Sequence, residues 1–138
     1  MLFRSLAGYA DGSSLQLAIE RKADLVFLGV CVLFHFHKES ARAEIGYTLA
    51  REHWSQGYAG EALRGLVDHA FGPLGLNRLE ADIDPRNAAS ARVLERLGFK
   101  PEGLLRERWI VRGEKSDTVL YGLLQSEWTC PKPSKSAT

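Results

Sequence analysis

Residues 54–62 read WSQGYAGEA, and their types could hold an anion. Gly57 and Gly60, together with the small Ser55 and Ala59, let the main chain come close to a ligand. The apolar stripe of a helix opens inside this run. The first N–H groups of a helix have no internal partner, and the helix dipole adds positive potential there. Such an end takes phosphate groups, and a pyrophosphate fits it best. The same residues also suit an ordinary helix start in which the glycines only make a turn. The spacing is neither a P-loop, since no Gly-Lys-Ser/Thr follows, nor a dinucleotide fingerprint.

Other residues could carry chemistry on either side of this run. Glu44 and Gly46 stand in AEIGYTLA, where an interior strand glycine marks a bulge or the close approach of a ligand. Asn87 is a good helix N-cap, and Ser90 follows at the third helical position, where its bland role is helix-end hydrogen bonding. His35 and His37 alternate on one strand face as a metal pair could, but a zinc-type site needs a third ligand and none is evident. No metal is therefore expected, and the two histidines are read as a solvent-facing strand end. Arg106, Trp109 and Tyr121 fall on a final hairpin, where cross-strand packing and an Arg106–Asp117 pair are expected. Cys31 lies in an apolar strand and does not suggest a nucleophile.

These residues need a scaffold, and the patterning supplies one. Leu15, Leu17 and Ile19 alternate, giving a strand over 15–20. After a turn, residues 25–36 form a longer apolar strand, and 43–50 a third. Ala59, Ala62, Leu63, Leu66, Val67, Ala70 and Phe71 recur at helical spacing until Gly72-Pro73 stops them. Alternation at Leu79, Ala81 and Ile83 predicts a strand over 76–84, ended by Pro85. A second helix is expected over 88–97, closed by Gly98 and the apolar Phe99. Strands over 103–111 and 118–124 complete the order βββαβαββ, a mixed α/β domain with a parallel, right-handed strand–helix–strand unit.

Composition bounds the function. The chain has 138 residues, 45% hydrophobic and 25% charged, enough for one domain with a real core. Lys+Arg is 18 and Asp+Glu 17, so a net charge of +1 gives no polyelectrolyte footprint, and no nucleic-acid partner is expected. No apolar run of membrane-spanning length occurs, so no membrane association is expected, and residues 1–11 do not read as a signal peptide. Two cysteines, Cys31 and Cys130, give no disulfide framework, which points to a reducing, cytoplasmic setting. Residues 1–14 are read as a short N-terminal segment, 15–128 as the domain, and 129–138 as a disordered Pro/Ser/Lys-rich tail.

Three segments, AEIGYTL, WSQGYAGEAL and NAASARVLERLGF followed by EG, occur in an order and spacing that resembles the GNAT (GCN5-related) N-acetyltransferases. The likeness is strongest to the RimJ/RimL branch that acetylates ribosomal-protein alanines, and it covers residues 15–128. The resemblance implies the GNAT acyl-CoA fold, here shortened at the N-terminal side, and direct transfer of acetyl from acetyl-CoA to a primary amine. By resemblance the loop of Gln56, Gly57, Tyr58, Ala59, Gly60 and Glu61 holds the CoA pyrophosphate through main-chain amides. Trp54 replaces the usual Gln or Arg at the first position of that signature. Tyr47, Thr48 and Leu49 would pair their strand edge with pantetheine and supply the oxyanion donor, and Asn87 would touch the pantetheine arm. Glu44 matches the general base, acting through water, and Ser90 the group that contacts the CoA sulfur. Leu94 stands where many members carry a tyrosine. Arg92 and Arg96 would reach the CoA 3′-phosphate or form a solvated helix face. A shortened sheet would leave an edge or apolar face uncovered, which predicts a homodimer. The competing expectation is a catalytically inactive acyl-CoA-binding or sensor module.

Overall fold

In the computed structural model, residues 2–5 and 14–128 are described. Four strands come first: β1 (Leu2–Ser5), β2 (Ser14–Glu20), β3 (Phe27–His37) and β4 (Arg42–Leu49). A single 3₁₀ turn at Arg51–His53 leads to α1 (Tyr58–Phe71), then β5 (Arg78–Ile83) and α2 (Ala88–Leu97). The chain ends its described part with β6 (Lys100–Val111), β7 (Glu114–Leu124) and the one-turn α3 (Gln125–Trp128). The seven strands form one sheet in the order β1-β2-β3-β4-β5-β7-β6. Among the described residues only β4 and β5 run parallel, with α1 as their crossover.

The expected order holds with two additions. β1 lies in the segment read as lacking an element, where Leu2 pairs with Glu20 and Ser5 with Leu17. Four residues are too few to show a period, but they satisfy the outer edge of β2. The last turn, α3, closes on Trp128, whose indole N–H donates to Asp68 Oδ1 at 2.7 Å. The final hairpin is also longer than its apolar pattern, because β6 is exposed along its whole length and has no buried face to create alternation. Cys130 and the rest of the tail lie outside the described residues, as do Met1 and residues 6–13.

Local chemistry explains both helices. The stripe of α1 is buried at Ala62, Leu63, Leu66, Val67, Ala70 and Phe71. Asn87 Oδ1 accepts the Ser90 N–H at 3.0 Å and so starts α2. Gly98 ends it at φ 102°, a left-handed value that favours glycine, and Phe99 N–H returns to Leu94 O at 3.0 Å. α1 and α2 pack on each other and on one sheet face. That face carries the cross-strand row of Leu33 with Ile45 and of Ala43 with Leu79 with Leu123, all buried. The opposite face carries the row Phe34, Glu44, Glu80, Gly122.

The register between β4 and β5 decides where the site lies. Their parallel pairing is limited to Arg42–Arg78, Ala43–Leu79 and Glu44–Glu80. Beyond Glu44 the two strands part, although β4 runs on to Leu49 and β5 to Ile83. On this side, residues 45–49 of β4 have no strand partner among the described residues. A gap therefore opens at the carboxyl ends of the two parallel strands, where open α/β sheets bind ligands.

Candidate active site at the parting of two strands

The gap holds a cavity of about 300 Å³. Ile45, Gly46 and Tyr47 line it from β4, and Ala81, Asp82 and Ile83 from β5. Asp84 follows β5, while Leu63 of α1, the α2 cap Asn87, and Ser90 and Leu94 of α2 close the helix side. Strand alternation puts Ile45 and Tyr47 on the helix-covered face, and Gly46 and Asp82 on the other. The cavity thus passes between the strands from one sheet face to the other.

Tyr47 and Ser90 meet inside it. Their hydroxyl oxygens lie 3.0 Å apart although 43 residues separate them in sequence. Ser90 sits one helical turn before Leu94, so both project on the same side of α2. The Asn87 cap fixes the Ser90 main chain and leaves its hydroxyl free to face Tyr47.

The loop after β4 leads from the strand that lines this cavity to the start of α1. Trp54 Nε1–H donates to Leu49 O at 2.8 Å, which ties the loop to the strand end. The Arg51 guanidinium lies 5.3 Å from the Trp54 ring centroid, and Gln56 Nε2–H donates to Glu52 O at 3.0 Å. Gly57 is left-handed at φ 82° and offers α1 no side-chain cap. The first helical bond runs from Glu61 N–H to Gly57 O at 3.1 Å. The amides of Tyr58, Ala59 and Gly60 therefore point out of the helix end. A Cβ built on Gly57 or Gly60 would meet nothing within 4 Å outside the helix's own main chain. These residues fit a pyrophosphate: amides aimed outward, an open approach and no carboxylate or hydroxyl cap in the way.

Glu44 is placed differently from the cavity residues. It lies on the face away from the helices, at the last paired position before the strands part. Its Oε2 is 2.8 Å from His35 Nδ1. The expected alternation of His35 with His37 is broken by a bulge between Phe34 and His37, with His35 at φ 51°. His37 Nδ1 instead accepts the Ser40 N–H at 3.2 Å. Among the described residues no group of three His, Cys, Asp or Glu comes together as a metal site.

Beyond Glu44, the opposite face is held by Arg78, which bonds Glu80 at 2.8 Å and grips both carboxylate oxygens of Glu102 at 2.7 and 3.1 Å. The Arg78 guanidinium holds the Glu102 carboxyl below its usual range. At the cavity mouth, the Arg86 guanidinium and main-chain N–H hold Asp84 down at about 2. Burial pushes the Cys31 thiol up to about 12, which leaves it protonated and inert.

The hairpin expectations need one correction. Asp117 accepts the main-chain N–H of Glu107 at 2.7 Å and does not pair with Arg106, because Glu107 at φ 51° turns its amide inward at a bulge. Tyr121 is buried, with its hydroxyl 3.4 Å from Glu95 Oε2, so it packs under α2. Trp109 is exposed, as are Arg92 and Arg96 on α2. Thr48 is exposed on β4, and the Tyr58 hydroxyl accepts from Arg21 at 3.4 Å. Sequence reasoning passed over Asp82, a polar residue in an alternating strand, and the role of the Trp54 indole. Asp82 has no local signal, since its place in the cavity depends on where β4 and β5 separate, and the Trp54 indole bond to Leu49 O depends on how the irregular loop after β4 folds back on the strand end.

Comparison with known proteins agrees with this geometry. Residues 1–100 match the Acetyltransferase (GNAT) domain family. The chain is 40% identical over 124 residues to the uncharacterized N-acetyltransferase p20 of Bacillus licheniformis, covering 90% of this chain and 67% of that protein. It is 29% identical over 85 residues to the [ribosomal protein uS5]-alanine N-acetyltransferase of Escherichia coli, covering 62% of this chain and 44% of that one. The chain thus spans about two thirds or less of the length of these curated relatives. In three dimensions it superposes with a TM-score of 0.82 on a spermidine N-acetyltransferase SpeG chimera from Vibrio cholerae and hSSAT. That match is 23% identical and covers 88% of this chain and 72% of that one, a likeness of fold.

Proposed function

Because this chain belongs to the GNAT acetyltransferase family, we propose that it transfers acetyl from acetyl-CoA directly to a primary amine, as the RimJ/RimL-like branch does. The acceptor is a protein N-terminus or a small-molecule amine. The observation that carries the reading is an uncapped, glycine-lined start of α1, the helix whose Leu63 lines the cavity where β4 and β5 part.

Each part of acetyl-CoA has a counterpart. The amides of the Gln56, Gly57, Tyr58, Ala59, Gly60 and Glu61 loop take the pyrophosphate. The unpaired β4 edge at Tyr47, Thr48 and Leu49 pairs with the amide-bearing pantetheine arm, as an added strand would, beside Asn87. The thioester then reaches the gap near Ser90, and a β4 amide stabilises the oxyanion. Glu44 takes the proton of the attacking amine through water, held in place by its contact with His35. No metal enters this scheme. A cytoplasmic setting belongs to the same reading, with Cys31 a free, buried thiol.

Isothermal titration with acetyl-CoA, paired with a thiol-release assay on a panel of primary amines, tests the proposal. Binding with turnover of at least one amine is the expected result. Tight binding without turnover of any amine would instead make the chain an inactive acyl-CoA-binding module. Glu44→Gln should lower kcat by about 100-fold with acetyl-CoA affinity unchanged. A wild-type kcat in the Glu44→Gln variant would remove Glu44 from the reaction.

The proposal includes a homodimer. β6 ends the sheet order, is exposed throughout, and presents Leu104, Trp109, Ile110 and Val111 to solvent. A long apolar edge of this kind invites another strand. Light scattering is expected to give twice the chain mass, and the mass of one chain would contradict it.

A further inference from the structure

Resting on the acetyl-transfer reading, we infer that Asp82 selects acceptors that carry a second positive charge, which it binds while the reacting amine meets the thioester in the gap. Glu44 and Glu80 are the last paired residues of β4 and β5. Partners across a ladder share a sheet face, and so do residues two apart along a strand. Gly46 and Asp82 are therefore the first residues to face each other beyond that pair, on the side away from the helices, and both line the cavity. Gly46 brings no side chain, so the space in front of the Asp82 carboxylate stays open. Both helices pack on the other face, and Glu44, the proposed base, stands on this one. The acceptor amine thus meets Glu44 from the face that carries Asp82.

The nearby cations are already engaged. Arg86 holds Asp84 through Nε and Nη2 at 2.9 and 2.7 Å. Arg78 spans Glu80 and Glu102, and Glu44 meets His35. Among the described residues Asp82 makes no ion pair, and its contact is the Thr118 hydroxyl, 3.4 Å from Oδ2. Thr118 is buried, so it steadies the carboxylate without neutralising it. A half-buried carboxylate without a cation has lost part of its hydration, and an ammonium bound there replaces it with charge-assisted hydrogen bonds. Strand spacing of about 4.8 Å and a rise of about 6.6 Å over two residues place the Asp82 main chain roughly 8 Å from that of Glu44. The second charge therefore lies several bonds from the reacting nitrogen. One nitrogen loses its proton to Glu44 through water, while the other stays ionised against Asp82. No bond to the second nitrogen forms or breaks, so its contact is equal in ground and transition states and is read in KM. A free diamine has this chemistry, and so does a peptide N-terminus followed by a basic residue.

Diaminobutane, aminobutanol and pentylamine test the inference, because they share one reacting amine and one alkyl spacer. They differ only in an ammonium, a hydroxyl or a methyl group at the far end. The dipeptide amides Ala-Lys and Ala-Gln are the peptide counterparts. The wild type should prefer the charged member of at least one set by about 10-fold or more in kcat/KM, and the set that shows it names the source. Asp82→Asn keeps the shape and an oxygen for Thr118, so thermal melts should stay cooperative. In that variant the preference should fall to within about threefold, with the loss in KM and not in kcat. A wild-type chain whose best acceptors carry no second cation would overturn the inference without any variant. So would a preference that survives Asp82→Asn, or an equal loss on charged and neutral acceptors. Failure to bind acetyl-CoA by calorimetry, or binding without turnover of any primary amine, would overturn the parent reading instead.

Discussion

Gly60→Asp is expected to weaken acetyl-CoA binding by at least 100-fold while leaving the fold as stable as the wild type or slightly more so. Gly60 is the third residue of α1, and its amide points out of the helix end. A Cβ there has open space, so the new side chain creates no clash. Asp is a better helix former than Gly, and a carboxylate in the first turn gains about 0.3–1 kcal/mol from the helix dipole. The fold therefore has nothing to lose. The ligand has much to lose, because the carboxylate occupies the field that the pyrophosphate needs. Two like charges about 4 Å apart near a protein surface repel by roughly 4 kcal/mol. A hundredfold loss needs only about 2.7 kcal/mol. Gly60→Ala separates charge from bulk: it should stabilise the helix by up to about 1 kcal/mol and change affinity little. Gly57→Asp should also lose binding, with a small drop in melting temperature because φ 82° disfavours any side chain. Calorimetry beside thermal melts reads both quantities. Unchanged affinity in both aspartate variants would remove the pyrophosphate cradle from the reading.

The open start of α1, the proposed cradle, was legible in the sequence because its determinants are local. The stripe from Ala62 to Phe71 states where α1 lies, and the glycines before it state that its start is open. Asn87 and Gly98 bracket α2 for the same reason, since caps act within a turn of the residues they serve. The cavity was not legible. It exists because parallel pairing stops after Glu44–Glu80, and a register between strands joined by a whole helix leaves no mark in either strand. The Tyr47–Ser90 contact depends on that parting, so neither residue announces the other. His35 shows the converse failure. Its alternation with His37 is plain in the sequence, but a bulge turns it to Glu44, and a bulge in a polar strand end has no periodic signature.

Strand β4 consequently serves both sides of the site. Ile45 and Tyr47 face the helices, Glu44 and Gly46 face the other way, and the strand end at Leu49 holds Trp54 and hence the loop before α1. Whatever fixes the far end of β4 fixes the relation between cradle and cavity. That role falls to β3, the only strand paired with β4 beyond Glu44 among the described residues.

Gly29→Ala should be the most damaging single methyl added to this chain. Gly29 is buried on β3 directly opposite Leu49. A Cβ built on it collides with the Thr48 carbonyl oxygen, and Leu49 Cα lies only 2.9 Å away. Both obstacles are main chain, so no side-chain rotation relieves them, and β4 must move away from β3. Overpacking of this kind costs about 3 kcal/mol, near the upper end of its usual range. That corresponds to a melting temperature lower by roughly 10 °C for a domain of this size. Moving Thr48 and Leu49 also shifts the carbonyl that holds Trp54, so acetyl-CoA affinity should fall in the fraction that stays folded. Gly46→Ala is the comparison within the same pair of strands. Its Cβ would sit 3.6 Å from the side chains of Phe34 and Val32, an ordinary contact. Stability should change by less than about 1 kcal/mol, and replacing Gly by Ala even removes some unfolded-state entropy. Gly46 lines the cavity, so there the methyl should act on turnover rather than on folding. Equal melting temperatures for the two alanine variants would show that β3 does not hold the end of β4 as closely as the structure requires.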